Sequence, residues 1–292
     1  MVSGPRPALA WGVQKVPVSR SPHPRTRATN TLEGTPSSAA LRAIAVSKSY
    51  RYGVPGCVGI VRALTAVTIT AQVGELIAIA GAPGSGKTTL LLCCAGLLRP
   101  DSGTVTWRAA GSRGELTAPH GVAFVPQRPV FPGFFTAREV LDRYGCDPVC
   151  RRVSCVARAA NELSRIGLAE LDRTRVDGLT PAARWRLALA VAMLREPRVL
   201  IADGLHDDAP TDPSLALMRV LCDRGGAVLV SVRDTSSVAG AADHVVLLSQ
   251  GCVDRRGAVR PTAAPERRLR VASRGVASSA RSGSVDRVVT AV

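Results

Sequence analysis

The sequence predicts an α/β fold: a mainly parallel sheet buried on both faces, an antiparallel β part and an inserted helical segment. Three observations predict it. Short apolar runs of β type alternate with helical periods along most of the chain. Late in the chain Val199–Ala202, Ala227–Val232 and Val245–Leu248 read as continuous apolar strands, the pattern of a parallel sheet covered on both sides. Between an apolar strand and a helix lies a glycine-rich loop, Gly81–Thr88.

Taken in order, Leu41–Val46, Ala63–Thr70, Leu76–Ala80, Thr104–Trp107 and Val122–Val125 are β-type runs bounded by Gly, Pro or Asp. Helical periods are expected over Thr88–Leu98, Ala137–Tyr144, Val153–Ile166 and Pro181–Leu194, the last with Leu187, Ala190, Val191 and Leu194 as one apolar stripe. The stretch from Ala137 to Leu179 interrupts the alternation and reads as a helical subdomain, about 137–180, inserted into a core spanning 41–256. No internal repeat is present.

The chain has 292 residues, 46% hydrophobic and 3% aromatic, so its core is built from Ala, Val and Leu rather than from rings. A net charge of +16 raises nucleic acid or an anionic membrane as partners. Much of it lies at the ends. Residues 1–40 carry Arg6, Lys15, Arg20, Arg25 and Arg27 against Glu33; residues 257–292 carry seven arginines against Glu266 and Asp286. Both ends are Pro-, Ser- or Ala-rich without a period and are expected to be disordered basic tails. No series of aromatic side chains lies among their charges for base stacking, so no nucleic-acid partner is expected. No apolar run reaches the ~18–20 residues of a membrane span, and Pro7–Val13 is too short for a signal peptide, which leads to a cytosolic expectation. Of eight cysteines, the adjacent Cys93 and Cys94 fall in an apolar helical pattern and fit buried thiols in a reducing compartment. Cys146, Cys150 and Cys155 have no neighbouring histidine and no CxxC spacing, which argues against a metal site.

The loop Gly81-Ala82-Pro83-Gly84-Ser85-Gly86-Lys87-Thr88 has the context its chemistry requires. Glycines let the backbone fold over an anion so that N–H groups converge on phosphate oxygens at a helix N-terminus. Gly81, Gly84, Ser85, Gly86, Lys87, Thr88 and the following Thr89 are therefore the candidate nucleotide-binding residues. Lys87 would reach the β and γ phosphates, and the Thr88 hydroxyl would ligate Mg²⁺. The metal's outer partner, an aspartate closing a buried strand, is supplied by Asp203 after Val199–Ala202.

With these motifs placed, residues 41–256 resemble the ATP-binding subunit of an ABC transporter, a P-loop nucleoside triphosphatase fold. Ser47-Lys48-Ser49-Tyr50 looks like the family's aromatic loop, which implies that the Tyr50 ring stacks on adenine, with Tyr52 as a rival. Val125-Pro126-Gln127 looks like the glutamine loop, implying contact of Gln127 with Mg²⁺ and the attacking water. The run from Ala63 through Gly103, with Gly74-Glu75 and Arg99-Pro100-Asp101-Ser102-Gly103, is similar to the compact exporter branch that serves lipoprotein release and macrolide efflux.

Three catalytic positions depart from that pattern. The family's Leu-Ser-Gly-Gly-Gln signature aligns with Leu179-Thr180-Pro181-Ala182-Ala183, where Pro181 has no N–H and alanines replace the last glycine and the glutamine; Thr180 as N-cap and Pro181 at N1 of an ordinary helix account for it. The glutamate that polarises water is replaced by Gly204, with Asp207 and Asp208 three and four positions on. The switch histidine aligns with Arg233, which offers a cation but exchanges no proton near neutral pH.

The resemblance therefore implies a subunit that binds ATP and Mg²⁺, couples to a membrane permease at the inner face of the cell membrane, and hydrolyses weakly. Catalytic candidates are Gln127, Asp203 and Arg233; metal candidates are Thr88, Gln127 and Asp203. The family's composite sites imply a homodimer or a heterodimer with another such subunit. The alternative is a soluble regulatory ATP-binding module outside any transporter. A guanine-nucleotide protein is disfavoured because no Asn-Lys-x-Asp motif occurs.

Overall fold

The computed structural model describes residues 39–54, 57–108, 115–116, 121–145, 161, 164–165, 167–205, 213–238 and 240–254. Nearly all of both expected basic tails, nearly all of the expected helix Val153–Ile166, the cysteines at 146, 150 and 155, and Asp207 and Asp208 lie outside the described residues.

Among the described residues ten strands form two sheets. β1 (Ala39–Val54), β2 (Cys57–Gln72), β4 (Ser102–Arg108) and β5 (Glu115–Leu116) make an antiparallel sheet in the order β2-β1-β4-β5. The second sheet has the order β10-β9-β3-β8-β7-β6, from β3 (Leu76–Ala80), β6 (Val122–Val125), β7 (Val199–Ala202), β8 (Ala227–Val232), β9 (His244–Ser249) and β10 (Cys252–Val253). Within it β3, β6, β7, β8 and β9 are parallel, and only β10 runs antiparallel to its neighbour. The described residues include the α-helices α1 (Lys87–Cys94), α2 (Ala137–Val140), continued by a π turn over Leu141–Gly145, α3 (Pro181–Leu194) and α4 (Pro213–Asp223).

The parallel sheet is covered on both faces, and residue parity along each strand decides which side chain goes where. Ile77 and Ile79 of β3, Val199 and Ile201 of β7, and Ala227 and Leu229 of β8 pack with Leu90, Leu91, Cys93 and Cys94 of α1 and with Leu41 and Trp107 of the antiparallel sheet. Leu76, Ala78, Leu200, Ala202, Val228 and Val230 face the other way, against α3 and α4. Trp107 donates its indole N–H to the Cys94 carbonyl at 2.8 Å and so ties the end of α1 to the antiparallel sheet. Cys93 and Cys94 are free and buried as expected, and burial pushes the Cys93 thiol up to about 11.

Several expectations are corrected. Leu187–Leu194 of α3 are all buried, so this helix has no single apolar stripe; the sheet lies on one side and the π-turn region, including Leu141 and Tyr144, adds cover on another. The expected helix Ala137–Tyr144 changes from α to π geometry after Val140. The helix expected to Leu98 ends at Cys94, where Ala95 caps it and Gly96, at φ +71°, takes a backbone that terminates helices. β1 and β2 are 16 residues each, far longer than the apolar runs that predict them, because exposed residues extend the hairpin. Among the described residues no helix is long and apolar enough to cross a membrane.

Candidate nucleotide site

Because β3, β6, β7 and β8 are parallel, their carboxyl ends open on one side of the sheet, the place where open α/β sheets bind ligands. β3 delivers the glycine loop, β6 delivers Gln127, β7 delivers Asp203 and Gly204, and β8 delivers Arg233. Together they line a cleft of about 570 Å³ with Gly84, Gly86, Lys87, Thr88 and Thr89.

The loop is held by close backbone approach. Gly86 sits at φ +103°, and a Cβ there would lie 2.3 Å from the Ala63 carbonyl oxygen of β2. Only glycine permits this seat. Ser85 is buried behind the cleft surface, its carbonyl accepting from the Gly251 N–H at 3.0 Å. Gly86 is also the N-cap of α1 and supplies no side-chain capping bond, so no side chain covers that helix start from the cap position. Lys87 folds over its own loop and donates to the carbonyls of Gly81 at 2.6 Å and Ala82 at 2.9 Å. Burial pushes its ammonium below the usual value; the Asp203 carboxylate opposes that shift and the Arg233 cation adds to it.

Asp203 is buried, and parity along β7 places it on the α1 face of the sheet. Its Oδ2 accepts from the Thr88 hydroxyl at 2.8 Å and its Oδ1 from the Ser231 hydroxyl at 2.7 Å. The buried Trp185 of α3 donates its indole N–H to the Asp203 carbonyl at 3.0 Å. A hydroxyl and a carboxylate, both hard oxygen donors, thus adjoin an anion-ready loop, which fits Mg²⁺ with a nucleotide. Gln127 is exposed and lines the cleft, as does Arg233.

Gly204 stands in the left-handed region at φ +76°, and a Cβ there would lie 2.7 Å from Gln127 Cγ. The space next to the strand aspartate is therefore filled by Gln127, and the backbone disfavours any side chain at 204. The Thr180–Ala183 segment is not part of the cleft lining within this chain. Thr180 caps α3, accepting from the Ala183 N–H at 3.2 Å, with Pro181 at the first helical position, as its sequence predicts.

Tyr50 is 41% exposed on β1 and is not a core residue; its hydroxyl lies 3.4 Å from Thr89 Oγ1, at the edge of the loop. Tyr52 is 62% exposed, and its ring lies against Gly59 across the hairpin. Asp101 holds this stretch of β1 by accepting from Lys48 Nζ and the Ser49 N–H, each at 2.7 Å. Ser231 and Trp185 belong to no motif of the sequence. Ser231 is signalled only as a lone hydroxyl in the apolar run Ala227–Val232, which needs a partner once buried.

Residues 64–205 match the protein-family model described as ABC transporter. The chain is 30% identical over 215 residues to an uncharacterized ABC transporter ATP-binding protein, YxlF, of Bacillus subtilis, covering 72% of this chain and 68% of that protein. The chain belongs to the ABC transporter ATP-binding proteins. Another family member, the phosphonates import ATP-binding protein PhnC 3 of Nostoc, is 28% identical over 208 residues, covering 66% of this chain and 79% of its own length. Among solved structures, a bacterial ABC transporter cassette determined as a dimer superposes with a TM-score of 0.62 at 22% identity, over 74% of this chain and 97% of that one, which establishes the ABC cassette fold.

Proposed function

We propose that this ABC subunit binds Mg-ATP in the cleft, hydrolyses it poorly, and couples to a membrane permease at the inner face of the membrane. One observation carries the reading: Lys87, Thr88 and Asp203 converge with the family's usual groups, while Gly204, left-handed and backed by Gln127, leaves the general-base position without a side chain. Lys87 and the loop amides would hold the phosphates, Thr88, Asp203 and Gln127 would hold the metal, and Arg233, on the same cleft, would add a fixed cation for the phosphates. Mg²⁺, when bound, neutralises phosphate charge and would favour attack by water. This chain lacks the carboxylate to take the proton from that water, and general-base catalysis typically contributes ~10²–10⁴-fold.

Family membership supports coupling to a permease and pairing of two ATP-binding subunits. The Thr180-Pro181-Ala182 surface offers few donors to a nucleotide held by a second copy, which makes a partner with an intact signature the more favourable arrangement. Steady-state phosphate release beside equilibrium ATP binding tests the reading. We expect tight Mg-ATP binding with turnover well below ~1 s⁻¹, the lower end of ordinary enzyme rates. Turnover at or above that value would overturn the impairment, and a Lys87→Ala variant with unchanged affinity would overturn the site.

A further inference from the structure

We propose that Ser231 is a positioning residue for the metal: its hydroxyl orients Asp203 and fastens the Gly204 turn, so that the Mg²⁺ dependence of nucleotide binding runs through it. The inference rests on the Mg-ATP reading above and adds to it a residue with no role there.

The Gly204 backbone N–H can only donate, and it donates to Ser231 Oγ at 2.7 Å. The single hydroxyl hydrogen of Ser231 is then left for Asp203 Oδ1, also at 2.7 Å. Asp203 Oδ2 accepts from the Thr88 hydroxyl, so each carboxylate oxygen is held by a different hydroxyl and the carboxylate cannot rotate without breaking one of the two bonds. Ser231 is 2% exposed and Asp203 5%, so water does not readily replace either partner. Strand register sets the arrangement: Ile201 pairs with Leu229 in parallel β7 and β8, which brings 203 level with 231 on the α1 face of the sheet.

The arrangement also joins two features that otherwise look unrelated. The same hydroxyl that aims the metal's carboxylate fixes the turn in which Gly204 replaces the usual base. A chain that retains its metal partner while having no side chain at 204 still needs that partner held in place, and Ser231 does both. Partners of this outer kind typically change metal affinity by ~10–100-fold when removed.

The test is the Mg²⁺ titration of ATP affinity in the purified full chain, beside ATP affinity in the presence of EDTA. For Ser231→Ala we expect the Mg²⁺ concentration at half-effect to rise ~10–100-fold with metal-free ATP affinity unchanged. Ser231→Cys, close in volume but a weak donor, should fall between the two. The metal-free ATP affinity of each variant also reports that its loop is folded. An unchanged Mg²⁺ midpoint in Ser231→Ala would overturn the role, as would an equal loss of affinity with and without Mg²⁺, which marks a general structural effect. A wild-type chain whose ATP affinity ignores Mg²⁺ would overturn the Mg-ATP reading and, with it, this inference.

Discussion

At position 204 a missing side chain and a special backbone coincide. Placing a carboxylate there, Gly204→Glu, meets a left-handed φ of +76° and a would-be Cβ 2.7 Å from Gln127 Cγ. Left-handed strain on a non-glycine residue costs ~1–3 kcal/mol. The variant should therefore melt earlier than wild type and gain little turnover, measured by thermal unfolding and phosphate release; a strong gain of hydrolysis at unchanged stability would show that the turn adapts. Lys87 is the cation of the glycine loop. Truncating it removes charge-assisted bonds worth ~1.5–3 kcal/mol each, so Lys87→Ala should weaken ATP binding by more than tenfold in calorimetry. The Tyr50 ring is exposed and its hydroxyl adjoins Thr89, so Tyr50→Ala should cost ~1–3 kcal/mol of ATP affinity. A loss at Tyr52→Ala alone would move the stacking role to Tyr52.

At the scale of the element, α3 connects the Thr180 segment to the turn after β7. Thr180 caps it at one end, and Trp185, one turn further on, holds the Asp203 carbonyl. Thr180→Ala should lower stability by ~0.5–2 kcal/mol through the lost cap while leaving ATP affinity of the lone chain unchanged, because Thr180 lies outside its cleft. A denaturant melt and a binding isotherm separate the two effects. The buried strands are legible to the residue: β3, β6, β7 and β8 match their apolar runs, because Gly81, Pro126, Asp203 and Arg233 stop each run where the sheet stops. α4 was missed although Pro213 opens it and Leu215, Met218 and Leu221 follow at helical spacing. The long β1–β2 hairpin was cut short because its outer residues face water and carry no apolar alternation. In the site, Lys87, Thr88, Gln127, Asp203 and Arg233 could be placed from motif and order alone. The left-handed turn at Gly204 and the hydroxyl of Ser231 could not, since both depend on the register of two strands distant in sequence.

For the whole molecule, the order of the elements brings the glycine loop, Thr88, Asp203 and Gly204 to one cleft, whose lining does not include Thr180–Ala183. In a symmetric pair each loop would be closed by Thr180-Pro181-Ala182, which lacks the Pro181 N–H as a donor. We therefore expect the chain to remain monomeric in size-exclusion chromatography with ATP and Mg²⁺, and to pair when a subunit with an intact signature is added; a stable homodimer formed by the chain alone would contradict this. The central claim, binding without efficient hydrolysis, is tested most directly by incubating the full chain with Mg²⁺ and ATP, isolating it rapidly and identifying the nucleotide it carries over time. The account predicts retained, uncleaved ATP that disappears in Lys87→Ala; bound ADP accompanied by phosphate release near ~1 s⁻¹ or faster would contradict it.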